Sequence, residues 1–252
     1  MCRWLAYLGD EIFIEDLILQ PDNALIHQSL RARKAVTVTN GDGFGVGWYD
    51  HRPEPGIFRD ILPAWNDSNL RNIARQVRSR LFMAHVRAST GTATSRANCH
   101  PFASGRFLFM HNGQIGGYAG LRRKLEALLD DRYYSARLGS TDSELIFLMM
   151  FQFGLESDPL AALAQTIATV EEAMRDNGDE ECFRFTAALA DGERVFAWRH
   201  SSDDQPPSLY FRHLPTGTVI ASEPFDDAAR DWTPLDREQM LVCDGDVRIA
   251  AL

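Results

Sequence analysis

Apolar positions recur along the chain with two periods, and the period changes from one stretch to the next. Near the start, Trp4, Ala6 and Leu8 alternate loosely with Arg3, Leu5 and Tyr7. That spacing predicts a buried strand over Cys2–Gly9. A short helix is expected over Phe13–Leu19, stopped by Pro21. Asn40-Gly41-Asp42-Gly43 is a turn signal and leads into a strand at Phe44–Tyr49. Leu70, Ile73, Ala74 and Val77 fall at i, i+3, i+4 and i+7, which predicts a helix over Ser68–Arg78. Strands are expected at Leu81–Arg87 and Arg106–His111, and a helix at Gly120–Leu129. Thr141-Asp142-Ser143-Glu144 fits a capping box ahead of an apolar run. Pro159–Met174 is amphipathic with proline in its first turn. After Asn177-Gly178 the pattern turns to short strands at Phe183–Leu189, Arg194–Trp198, Leu209–Arg212, Val219–Ser222 and Met240–Val242, with turn residues between them. Strands, then helices, then strands predict an α+β layered fold with an antiparallel core.

The 252 residues suffice for one well-buried core, and residues 1–252 read as a single domain. A formal net charge of -9 repels phosphate backbones and argues against a nucleic-acid partner. The apolar run Leu145–Leu155 is interrupted by Gln152 and too short to span a bilayer, so no membrane partner is expected. The cysteines at 2, 99, 182 and 243 form no C-x-x-C pair, so no zinc-ligand or redox-motif spacing exists, and the candidate chemistry calls for neither a metal nor another cofactor. No secretory start is present, and a cytoplasmic protein with free thiols is the simplest reading.

Four short stretches carry candidate chemistry. If Met1 is removed, Cys2 offers a thiol and an α-amine on one residue. The amine titrates near neutrality and can accept the thiol proton without a separate base. Cysteine is also a common small buried residue, so this signal is weak alone. Arg87 lies at the end of a strand, before Ala88-Ser89-Thr90-Gly91. Its guanidinium suits the α-carboxylate of an amino acid, although a surface ion pair would use the same residue. Asn112-Gly113 ends an apolar strand and places an amide side chain beside a backbone N–H. Such a pair can serve as an oxyanion hole or as a plain turn. Asp142 could hold a substrate ammonium, or could simply complement a helix dipole. His100 and His111 read as structural hydrogen-bonding residues.

Taken in order, Cys2, Arg87, Asn112-Gly113 and Ser140-Thr141-Asp142 resemble the class II glutamine amidotransferases, the N-terminal-nucleophile glutamine hydrolases. The resemblance implies a four-layer αββα sandwich of two antiparallel sheets. It gives Cys2 the nucleophile role and makes Asn112 and Gly113 the oxyanion hole. Arg87 and the Thr90 segment would take the α-carboxylate, and Asp142 the α-ammonium. Ala88 and Gly91 depart from the bulkier residues common there, which implies a more open pocket rim. The stretches Met1-Cys2-Arg3, Asn40–Gly45, Pro63–Asn66, His85–Thr90 and Asn98–Phe102 resemble a stand-alone branch. That branch includes the amidase subunit of a glutathione-degrading complex and a γ-glutamyl hydrolase of ergothioneine synthesis. The resemblance implies a glutamine or γ-glutamyl substrate, cleaved to glutamate and ammonia or an amine, and it admits a partner subunit. Two other readings use the same residues: an N-terminal-cysteine amidase for a non-glutamyl amide, and a catalytically idle amino-acid-binding or regulatory subunit.

Overall fold

A computed structural model of the chain describes residues 2–31, 39–89, 91–226 and 231–252. In chain order the elements are β1 (Arg3–Phe13), α1 (Glu15–Ile18), α2 (Leu25–Leu30), β2 (Phe44–Trp48), β3 (Gly56–Asp60), α3 (Ser68–Gln76), β4 (Arg78–Val86), β5 (Phe102–Ser104), β6 (Phe107–Gln114), α4 (Tyr118–Glu126) and α5 (Asp131–Ser135). They continue with α6 (Asp142–Gln152), α7 (Pro159–Asn177), β7 (Arg184–Ala190), β8 (Val195–Ser201), β9 (Tyr210–Leu214), β10 (Gly217–Ala221), β11 (Thr233–Pro234), β12 (Gln239–Cys243) and β13 (Val247–Ala251).

The strands form two sheets in which every pairing is antiparallel among the described residues. Sheet A has the order β11-β9-β10-β1-β4-β2-β3, and sheet B the order β13-β12-β8-β7-β6-β5. Alternation along each strand sends successive side chains to opposite faces and so sorts three apolar clusters. On the outer face of sheet A, Leu5, Tyr7, Phe82 and Val86 pack with Leu17, Ile26, Leu70 and Ala74 from α1–α3. On the outer face of sheet B, Phe109, Phe185 and Leu189 pack with Leu121, Leu145, Met149 and Val170 from α4, α6 and α7. Between the sheets, Trp4, Ala6, Leu8 and Met83 meet Leu108, Met110, Ala188 and Ala190. The result is the four-layer αββα sandwich. Burying each large apolar side chain stabilises it by about 1.5–3 kcal/mol, which makes three contiguous clusters the main source of cohesion.

Several helix starts obey the expected chemistry. Asp67 accepts the Leu70 N–H at 2.6 Å to open α3, and Asp158 accepts from Leu160 and Ala161 to open α7. Thr141 Oγ1 accepts the Glu144 N–H at 3.1 Å. The return arm of the expected capping box is different. The Glu144 carboxylate accepts from the N–H groups of Leu138 and Gly139, so it ties down the preceding loop.

Other expectations need correcting. The helix expected over Phe13–Leu19 is confined to Glu15–Ile18. Ile12 and Phe13 remain in β1, because its ladder with β4 resumes beyond an irregularity as Ile12↔Ser79 and Phe13↔Arg78. Asn112-Gly113 is not a turn that ends a strand. β6 runs on to Gln114, pairing Asn112 with Thr186 and Gly113 with Phe185. Elements not expected from the pattern include α2, β3, β5, α5 and β13. They are short, and β3 is half-buried throughout, so no period develops in its sequence.

Candidate active site

At one end the layer between the sheets stops being apolar. The inward side of β1 runs Leu8, Ala6, Trp4 and reaches Cys2; that of β4 runs Leu81, Met83 and reaches His85 and Arg87. The inward side of β6 runs Leu108, Met110 and reaches Asn112. These ends meet the first turn of α6 around a cleft of about 100 Å3. Cys2, Arg87, Asn112, Gly113 and Asp142 all line it, together with Ser89, Thr92, His100, His111 and Ser143 among others. The structure therefore brings together the predicted site residues that it describes. Thr90 lies outside the described residues.

The Cys2 thiol is held against Ala88. Its Sγ lies 3.4 Å from the Ala88 N–H donor and 3.6 Å from the Ala88 carbonyl oxygen. Burial pushes the thiol above its ordinary value, opposed by the Ala88 hydrogen bond and by the charges of Arg87 and Arg3. The resting group is thus a protonated thiol that needs a base.

Arg87 is only 3% exposed. Its Nη1 donates to the Asp42 carbonyl at 3.2 Å, and its Nη2 donates to Ser89 Oγ at 3.1 Å and Thr92 Oγ1 at 2.6 Å. No acidic side chain among the described residues forms an ion pair with it. A buried cation held by neutral oxygens is suited to an incoming anion.

Asn112 is 1% exposed, and neither its Nδ2 nor its Oδ1 has a hydrogen-bond partner among the described residues. Leaving a buried amide unsatisfied costs about 1–3 kcal/mol per group, and a ligand oxygen accepting from Nδ2 would relieve the donor's share. Gly113 has φ of 150°, and a Cβ there would sit 1.8 Å from the Arg184 carbonyl oxygen, so only glycine fits. Asp142 Oδ2 accepts the Ile115 N–H at 2.9 Å, and its Oδ1 accepts from the Ser143 N–H at 2.8 Å. One carboxylate thus fixes the end of β6 against α6.

Three buried histidines surround this set. His111 Nδ1 lies 2.9 Å from Ser143 Oγ and its Nε2 3.3 Å from the Arg184 carbonyl oxygen. His100 differs from its expected hydrogen-bonding role: neither of its ring nitrogens has a partner among the described residues. It lies between the sheets, where its ring packs on that of His85 at 4.2 Å between centroids. Burial, then the Arg87 charge, pushes His85 down to about 3, and burial with neighbouring cations holds His100 well below its ordinary value. All three rings are neutral at neutral pH.

Sequence reasoning missed the oxygens that hold Arg87, namely Asp42, Ser89 and Thr92. Asp42 stood in a stretch read only as a turn, and nothing local marks a carbonyl as an arginine acceptor. Gly91 has φ of 94°, a backbone conformation that favours glycine, and a side chain there would meet nothing within 4 Å. Among the described residues no cluster of three or more His, Cys, Asp or Glu side chains could hold a metal ion. No described helix is long and apolar enough to cross a membrane.

Residues 19–220 match the model of the class II glutamine amidotransferases. The chain belongs to that family. Over 96% of its length it is 32% identical to the "Probable glutamine amidotransferase DUG3" of Saccharomyces cerevisiae, covering 81% of that protein. It is 30% identical to the "Gamma-glutamyl-hercynylcysteine sulfoxide hydrolase" of Mycolicibacterium smegmatis, over 100% of both chains. Among solved structures, a glutamine aminotransferase class-II domain protein from Silicibacter pomeroyi is 39% identical, with a TM-score of 0.79 over 99% of each chain. The glutamine phosphoribosylpyrophosphate amidotransferase of B. subtilis shares the fold alone, at 15% identity and a TM-score of 0.69 over 49% of that chain.

Proposed function

We propose that residues 1–252 act as one domain that hydrolyses the γ-amide bond of glutamine or a γ-glutamyl compound through a thioester on Cys2. The observation that carries this reading is one cleft that gathers three groups: the Cys2 thiol and, among the described residues, an Arg87 without an acidic partner and an Asn112 amide without any partner. The names of the related proteins support the same substrate class.

In this reading Met1 is removed and the freed amine of Cys2 takes the thiol proton. The thiolate adds to the γ-carbonyl carbon, and the carbonyl electron pair moves to oxygen. The Asn112 side-chain N–H and the Gly113 backbone N–H donate to that oxyanion, a type of contact worth about 10²–10³ in rate. The ammonium of Cys2 returns its proton to the leaving nitrogen as the C–N bond breaks. The amine then deprotonates a water that attacks the thioester, releasing glutamate and restoring the thiol. Arg87 pairs with the α-carboxylate and Asp142 with the α-ammonium, which hold the γ-carbonyl at the sulfur. No metal or organic cofactor is required. The chain works in a reducing cytoplasm, where its described cysteines stay free thiols.

The test is the intact mass of the purified protein before and after exposure to a glutamine-mimicking diazoketone. Loss of Met1 and gain of one label, absent in Cys2→Ala, is the expected result. A processed protein that hydrolyses glutamine but takes no label at Cys2 would sink the mechanism. Arg87→Ala and Asp142→Ala should each raise KM for glutamine; unchanged values would move the substrate outside the glutamyl class.

A further inference from the structure

The residue beside the nucleophile carries contacts that the chemistry above does not use. Arg3 and Glu223 form an ion pair with Nε–Oε2 at 3.0 Å, and their side chains are 0% and 2% exposed. Arg3 Nη1 also donates to the carbonyl oxygen of Cys2 at 2.9 Å. Glu223 follows β10, and its other carboxylate oxygen accepts Asn23 Nδ2 at 3.3 Å. Gln28 on α2 braces this corner by donating to the Asn23 carbonyl at 2.9 Å. The pair therefore joins the start of β1, the end of β10 and the helix layer above them.

Cys2 needs such a brace. The β1–β4 ladder begins at Arg3↔Val86 and the β1–β10 ladder at Leu5↔Ala221, so Cys2 lies beyond both. Residues beyond the last ladder bond fray unless tied down. Cys2 is held by its thiol against Ala88 and by the bond from Arg3 to its carbonyl oxygen. Two apolar side chains of similar size would fill the Arg3 and Glu223 positions at less desolvation cost, so packing alone does not account for a buried ion pair here.

We infer that Arg3 and Glu223 are a positioning pair that fixes the direction of the Cys2 backbone, and with it the thiol and the α-amine. Glu223 orients the guanidinium, and the guanidinium clamps the Cys2 carbonyl. The Arg3 charge also favours the thiolate. The inference rests on the reading of Cys2 as the nucleophile.

The experiment compares wild type, Glu223→Gln and the double variant Arg3→Gln/Glu223→Gln, all processed and full length. Turnover is followed with L-glutamine and γ-glutamyl-p-nitroanilide. Alkylation of Cys2 by iodoacetamide is followed against pH by peptide mass. A misplaced nucleophile should lower kcat of the double variant by about 10- to 100-fold while KM stays within about twofold, with a smaller loss of kcat in Glu223→Gln. The alkylation midpoint should fall in Glu223→Gln, where the Arg3 charge is unopposed, and rise in the double variant, where that charge is gone. A merely structural role would not move these midpoints in opposite directions. A folded double variant with wild-type kcat and an unmoved midpoint overturns the inference. If the double variant does not fold, unchanged kcat and midpoint in Glu223→Gln overturn it. Wild type inert toward both amides would move the substrate elsewhere without touching the pair, and the alkylation midpoints would then decide the inference.

Discussion

The middle of the layer between the sheets and its cleft end are built by the same strands on the same faces, yet they obey opposite rules. In the middle, Ala6, Leu8, Met83, Leu108 and Met110 fill the space with apolar atoms. At the cleft end, the same rows continue as Cys2, His85, Arg87 and Asn112. There, buried nitrogens and oxygens of His85, His100 and Asn112 have no partners among the described residues. Unsatisfied buried polar atoms lower stability, and close packing raises it. Cohesion gained in the middle of the layer thus offsets the cost of a polar, partly unsatisfied surface at its end. A site of this kind needs no separate domain or loop insertion; it is the core itself, continued in polar residues.

The sharpest way to break the comparison is to remove the chemistry and keep the shape. Cys2→Ala should lower hydrolysis of glutamine or a γ-glutamyl amide by about 10,000-fold or more with an unchanged thermal melt. Residual turnover within tenfold of wild type, or about 1.4 kcal/mol in barrier, would mean that the cleft works through another group. Asn112→Leu comes next and should split the two rules in one protein. It deletes two polar atoms that lack partners among the described residues, so stability to urea should rise by about 1 kcal/mol, while kcat falls about 10²–10³-fold. A loss of stability together with a loss of activity would show that the amide is satisfied in solution. In the middle of the layer Met110→Ala should do the reverse. It should cost about 2–5 kcal/mol in urea unfolding and leave kcat of the folded fraction close to wild type.

The smallest effect is set by pH. His85 titrates at about 3 when folded, against 6.5 for its reference value. Between those values the unfolded chain binds a proton that the folded chain excludes. Stability is therefore full above about pH 6.5 and declines as pH falls toward about 3, by about 2 kcal/mol at pH 5 for this residue. Melting temperatures at pH 7 and pH 5 measure it. His85→Phe should show a smaller drop on acidification than wild type; an equal drop would place the acid sensitivity elsewhere.

Much of this comparison was legible in the sequence. The alternation of Trp4, Ala6 and Leu8, the period of Leu70–Val77 and the Thr141 cap are local signals, and the corresponding elements formed. The candidate site was legible as residue types in order. Its construction was not, because the continuation of an inward row from Met110 to Asn112 is visible only once β7 pairs with β6. Asn112-Gly113 looked like a turn because the pair favours turns locally, whereas the ladder with Thr186 and Phe185 decides otherwise. The neutral oxygens around Arg87 come from Asp42, Ser89 and Thr92, which local pattern does not single out. The His85–His100 stack joins residues from different segments, and nothing in either segment announces it.

One topological detail bears on how the molecule is made. β1 lies inside sheet A, flanked by β4 and by β10, which contributes Gly217–Ala221. A ribosome delivers the chain from the N-terminus, and the last partner of β1 emerges when most of the polypeptide has already been synthesised. For that long interval the first strand has an open edge and the residues ahead of it stay accessible. The removal of Met1 that the proposed mechanism requires has its natural window there, before β10 pairs with β1. Under the proposed mechanism, catalytic maturity is then a matter of timing relative to the pairing of the last strand with the first.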